Sequence, residues 1–264
     1  MQSEGPPVTR FLMICGLMLA LATPPVAATS EVDRADIMRL LSRLFTGVEM
    51  REDLQSLGFR GEKLDIAMAH IGRTMSDPVV SGFIADQVLA AQAGTADMAG
   101  ANGVLWQLID RGAGHLPPRD LHYYFKVQRT VLYALPTRDC GRLIRGRMPV
   151  EEMSDLTSRT AARLNAPALE TYYNIQLKAA RLGATRAPNI LPPARRARIE
   201  ERISDVLGAR LAVHPDGPAI QAAFGDIERA ANPAACAAGR LFLDSVLSLE
   251  GPDLTEGLIY LSMP

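Results

Sequence analysis

Beyond residue 30, apolar residues recur every three to four positions almost throughout, and no stretch alternates β-branched residues with a period of two. Ile37, Leu40, Leu41 and Leu44 share one helix face behind a capping-box-like start at Ser30 and Asp33. A second helix is predicted from about Glu62. Ser76, Asp77 and Pro78 then stop one helix and start another, with Asp77 as its cap and Pro78 in its first turn. Val80, Phe83, Ile84, Val88 and Leu89 give that helix its apolar stripe. Residues 94–103, rich in Gly and Ala, predict a flexible join; Leu105, Leu108 and Ile109 predict a short helix ended by Gly112 and Gly114. The segment LPPRDLHYYFKVQRTVLYALP follows, with Leu121, Tyr124, Phe125, Val131 and Leu132 on one side.

Helical spacing continues over residues 150–164 and 167–182, the latter carrying Leu169, Tyr172, Tyr173 and Leu177. Pro188, Pro192 and Pro193 interrupt the pattern in residues 187–198, which reads as a proline-rich linker because proline lacks the amide a helix interior needs. Three more amphipathic segments follow, marked by Ile199, Ile203, Val206 and Leu207; by Ile220, Phe224 and Ile227; and by Leu243, Val246 and Leu247. The expectation is an all-α, irregular multi-helix bundle. Its helical domain spans residues 29–186, and residues 199–264 form a C-terminal helical segment packing on the first.

Residues 1–28 read as a signal peptide. Arg10 precedes an apolar run at 11–22, and Val26 and Ala28 occupy the small-residue positions of a cleavage site, so the mature chain would begin at Thr29. The run is shorter than the roughly 20 residues that span a bilayer. Cys15 follows Ile14 with hardly any apolar run ahead of it, which argues against a lipid-modified cysteine. No transmembrane segment is expected in the mature chain, and the location implied is periplasmic or secreted.

The net charge of −1 gives no overall field to hold a polyanion, so no nucleic-acid partner is expected. Lys63, Lys126 and Lys178 are the only lysines, and Arg fills the other basic positions. A phosphate-binding surface is one reading, but acidic residues interleave with the arginines, which favours the codon bias of a GC-rich bacterial genome as the reason for Arg over Lys. Arg195, Arg196, Arg198 and Arg202 are the densest group and offer a contact for anionic lipid, but Glu200 and Glu201 interrupt it, and an exposed helix start is the simpler reading.

With Cys15 in the leader, Cys140 and Cys236 remain as an even pair in an exported chain, which is the arithmetic of one disulfide. Thr137 and Asn232 are the expected caps of the helices carrying them. A helix N-terminus also lowers a thiol pKa, so a nucleophilic cysteine is the competing reading. Against it, Cys140 aligns with Leu143 and Ile144, and Cys236 with Gly239 and Leu243, on faces that their helices would bury.

His70, His115, His122 and His214 form no metal-binding pair, and no cofactor or metal is expected. His70 and His122 read as partly exposed helix residues. No nucleophile elbow or phosphate loop occurs. Tyr123, Tyr124, Tyr172 and Tyr173 hold four of the six tyrosines and are the candidate ligand or partner groove; helix packing with a tyrosine at the edge is the plainer account. The functional expectation is a non-enzymatic envelope protein that binds a protein or small ligand. The alternatives are an envelope enzyme, thiol-dependent or a carboxylate hydrolase, and a periplasmic inhibitor of a hydrolase or toxin.

Overall fold

A computed structural model of the chain describes residues 33–45, 47–95 and 101–264. The expected signal peptide and the cap at Ser30 lie outside the described residues. Residues Arg34–Pro264 form one compact unit. Among the described residues there are thirteen α-helices and no strand: α1 (Arg34–Leu44), α2 (Val48–Ser56), α3 (Gly61–Met75), α4 (Pro78–Gln92), α5 (Ala101–Ala113), α6 (Pro118–Ala134), α7 (Thr137–Ile144), α8 (Val150–Ala161), α9 (Ala166–Thr185), α10 (Pro193–Val213), α11 (Gly217–Gly225), α12 (Asn232–Leu247) and α13 (Gly251–Leu261). The all-α irregular bundle expected from periodicity is what the chain forms.

The start of α4 shows why local signals work. Oδ1 of Asp77 accepts the amides of Val79 and Val80, each at 3.1 Å, while Pro78 takes the first turn, where an amide would have no partner. Asp77 is buried, and its other oxygen accepts Nε of Arg181 at 2.7 Å, so one residue both starts α4 and ties it to α9.

Four local readings need correction. The helix end expected at Gly112 and Gly114 falls at Ala113 between them, but Gly112 is itself helical, and a Cβ there would overlap the Ala179 carbonyl of α9. Gly183 answers it against the Leu108 carbonyl, so the two glycines let α5 and α9 pack backbone to backbone. Thr137 and Asn232 are the first helical residues of α7 and α12; Pro136 and Ala231 precede them and make no side-chain cap. The Asn232 side-chain amide oxygen Oδ1 instead accepts from Arg145. Residues 187–192 are without helix, but Pro193 already begins α10, because proline suits a first helical position as well as it breaks an interior. Helices α2 and α13 went unpredicted: α2 has few apolar positions, and Gly and Pro punctuate the start of α13.

The main core runs through α1 to α6, α8 to α10, α12 and α13, and its largest fully buried side chains include Tyr172, Phe59, Ile84, Leu108, Leu121 and Leu169. Two small apolar clusters stand apart from it. One gathers Leu132, Leu135, Cys140 and Cys236; the other gathers Ile220, Ala223 and Ala238. Cys140 and Cys236 are bonded across 96 residues with their Cα atoms 5.2 Å apart, and both are buried. Beside the bond, Gly141 lies on the Asn232 backbone and Gly239 lies under the Ile144 side chain.

Candidate functional site

Where the three apolar clusters meet without merging, a groove of about 910 Å³ opens. Leu132, Ile144 and Leu243 border it from the disulfide cluster, and Ile227 from the cluster around α11. From the main core come Tyr124, Phe125 and Phe242, with Leu261 and Met263 at the end of the chain. Phe224 of α11 and Phe242 of α12 meet edge to face with centroids 6.3 Å apart, forming an aromatic wall.

Helix α5 supplies the polar side of the groove through Gln107, Asp110 and Arg111. They follow the core residues Leu108 and Ile109 around the helix, so burying one face of α5 turns its next face toward the opening. Arg111 donates Nε to the Arg186 carbonyl at 2.8 Å. Asp110 makes no hydrogen bond or ion pair with the described residues. Solvent reaches its carboxyl from the groove, yet protein surrounds it on the other sides, and this desolvation raises its pKa to about 6. Among the side chains lining the groove, Asp110 and Arg111 are the charged ones.

Behind the groove wall the rings continue inward. Tyr124 stacks on Tyr172 with centroids 6.3 Å apart, Tyr172 lies 6.0 Å from Tyr173, and Tyr173 stacks flat on His70 at 4.2 Å. Gln128 donates to the Tyr172 hydroxyl at 3.3 Å, and burial raises the pKa of all three tyrosines. Of the four tyrosines singled out from sequence, Tyr124 lines the groove. Tyr172 and Tyr173 lie inside the core, and the Tyr123 hydroxyl donates to the Ala168 carbonyl at 3.1 Å. The groove's other key residues, Asp110, Gln128, Phe224 and Phe242, come from four helices, and only the amphipathic spacing of Phe224 marked any of them in sequence.

His70 is not the partly exposed residue expected. It is buried, and burial, with the nearby charge of Arg73, pushes its pKa down to about 3. His122 is half-buried and shifted downward by desolvation and then by Lys126. No group of three or more His, Cys, Asp or Glu that could hold a metal occurs among the described residues, and no helix there is long and apolar enough to cross a membrane.

Arg195, Arg196, Arg198 and Arg202 of α10 are paired within the fold. Glu256 of α13 accepts Arg195 at 2.8 Å and Arg198 at 2.5 Å, Arg202 reaches Asp253 at 3.5 Å, and Arg196 pairs with Glu200 at 2.8 Å. Burial alone would raise the Glu256 carboxyl, but the hydrogen bonds from Arg198 and Arg195 outweigh it and hold it below its ordinary range. Arg195, Arg198 and Arg202 therefore fasten α10 to α13, while the Arg196–Glu200 pair stays within α10.

Compared with family models, curated proteins and solved structures, the chain matches none. The site's chemistry rests on its geometry. A large, mainly apolar recess with one unpaired carboxylate and two glutamines can enclose an apolar body and orient a polar group.

Proposed function

We propose that this protein is an exported, non-enzymatic helical protein of the bacterial cell envelope that binds a small amphipathic ligand in the groove between α5, α6, α11 and α12. The observation that carries the reading is the 910 Å³ recess itself, whose aromatic and aliphatic walls surround the unpaired Asp110. Its size lies within the range of about 300 to 1,000 Å³ typical of small-molecule sites. A periplasmic or secreted location is supported by the leader-like residues 1–28 and by the disulfide, which suits an oxidising compartment.

One observation favours a second reading, a carboxylate hydrolase. Asp110 titrates near 6, where a general acid or base works well. Glycoside hydrolysis of the common type requires two side-chain carboxyls facing each other, and the described groove walls supply one. A thiol nucleophile has even less support, since both cysteines of residues 34–264 are bonded to each other. Binding is the better account.

The test is titration with N-phenyl-1-naphthylamine, a neutral fluorophore that brightens in apolar surroundings. Saturable one-site binding is expected in the wild type. Gln107→Trp, which fills the groove from an exposed position, should weaken it about tenfold or more with the melting temperature unchanged. Absence of saturable binding, or equal binding by both proteins, would overturn the reading.

A further inference from the structure

Accepting the groove as a ligand site, its charge pattern narrows the ligand class. Asp110 makes no hydrogen bond or ion pair to the described residues, and beyond Gln107, Arg111, Gln128 and Ser262 the walls it faces are apolar and aromatic. Asp110 is exposed on the groove wall, so water meets its carboxylate while the groove is empty. An apolar body that fills the groove displaces that water, and the ligand must then bring a donor or cation of its own, because the protein supplies neither. Arg111, the other charged side chain, is a neighbour along α5 and is anchored to the Arg186 carbonyl. A divalent metal would need several more oxygen ligands than this wall offers.

We infer that the ligand is an organic amine with an apolar body, its ammonium held by Asp110 and its body lying between the Phe224–Phe242 wall and the Tyr124–Phe125 wall. The rings add a second attraction, because aromatic faces draw cations once water is excluded. An ammonium within hydrogen-bonding reach would also lower the Asp110 pKa, so binding above neutrality keeps the carboxylate ionised while acid works against it. The groups facing Asp110 are Arg111 on its own helix, the uncharged Gln107 and Gln128, and Tyr124 and Tyr172. Both tyrosines are shifted upward and stay neutral through the working range. Among the side chains of this wall, Asp110 is therefore the one that titrates below pH 8.

The experiment displaces N-phenyl-1-naphthylamine with octylamine, octanol and octanoate, which share a chain and differ in head group. At about pH 7.5, octylamine should displace the dye about tenfold more effectively than octanol, with octanoate weakest. Moving to about pH 5, where octylamine keeps its charge and Asp110 is largely protonated, should reduce that advantage about tenfold. Asp110→Asn should bring octylamine to the level of octanol at both pH values, with Asp110→Ala as a second variant. Retained amine preference in these variants, or preference for octanoate, which would point to Arg111, overturns the inference. If the dye binds but the three head groups compete equally, the groove stands as a ligand site and the amine assignment falls. If the dye itself does not bind, the groove reading falls first.

Discussion

Two helix crossings in this protein use glycine to bring backbones together, and their surroundings could hardly differ more. At α5–α9, Gly112 and Gly183 lie within the main core beside Leu108, Ala179 and Ala180, so apolar burial holds the contact from all sides. At α7–α12, Gly141 and Gly239 sit beside a cluster of four buried residues, two of them the bonded cysteines. A cluster that small buries little surface, and the disulfide replaces what burial does not supply. The groove lies along the boundary between these two regimes. It exists because the thin clusters pack on the main core without filling the seam.

Overfilling the main crossing should produce the largest effect. Gly183→Val places a side chain against the Leu108 backbone, which cannot yield without moving α5, so the loss should exceed about 4 kcal/mol in urea unfolding. Gly239→Ala is the matched change in the thin region. Its new methyl meets the flexible end of Ile144, and a cost of about 1 to 2 kcal/mol is expected. Similar losses at the two glycines would erase the contrast.

Removing the staple comes next. The double change Cys140→Ala with Cys236→Ala should cost about 2 to 4 kcal/mol, the usual range for a native disulfide and below the roughly 4.7 kcal/mol ceiling that loop entropy sets for a sequence separation of 96. Hydrogen exchange should then accelerate first in α7, α11 and α12, while α5 and α9 keep their protection. Uniform acceleration would mean that the thin clusters and the main core unfold as one.

The buried core and the groove wall should also respond oppositely to acid. His70 in the core has a folded pKa below its unfolded value, so the unfolded chain takes up the proton first. Stability is complete above about 6.5 and is lost as pH falls toward about 3, at up to about 1.4 kcal/mol per pH unit relative to His70→Phe. Parallel pH profiles for the two proteins would remove His70 as the cause.

Asp110 in the groove has the reverse sign. Its folded pKa is raised, so ionisation above about 6 costs stability, and protonation relieves that cost as pH falls toward about 4. Asp110→Asn should therefore stabilise the protein at neutral pH, by less than about 1 kcal/mol because solvent reaches the carboxyl, with the gain vanishing in acid. A loss of stability instead would make Asp110 a structural residue. The gain would mark it as a group kept for binding at some expense to the fold.

Legibility followed the range over which each feature is decided. Asp77 and Pro78 were readable because a helix start is settled within three residues. The glycines were not, since a glycine that ends a helix and one that admits a neighbouring backbone look alike in a single chain; Gly112 is the instance. Tyr124 and Tyr172 sat correctly on apolar faces, yet periodicity says nothing about which apolar face borders open space.

From sequence alone came most of the helices, because their 3.6-residue spacing is local, and the cysteine pairing, because two buried-face thiols outside the leader-like residues have one partner each. Tertiary structure alone decided that three apolar clusters meet without merging, that Asp110 faces the gap, and that His70 is sealed beneath Tyr173. Those outcomes depend on how helices far apart in the chain fill volume together, and no spacing rule along one strand of sequence encodes the space left over.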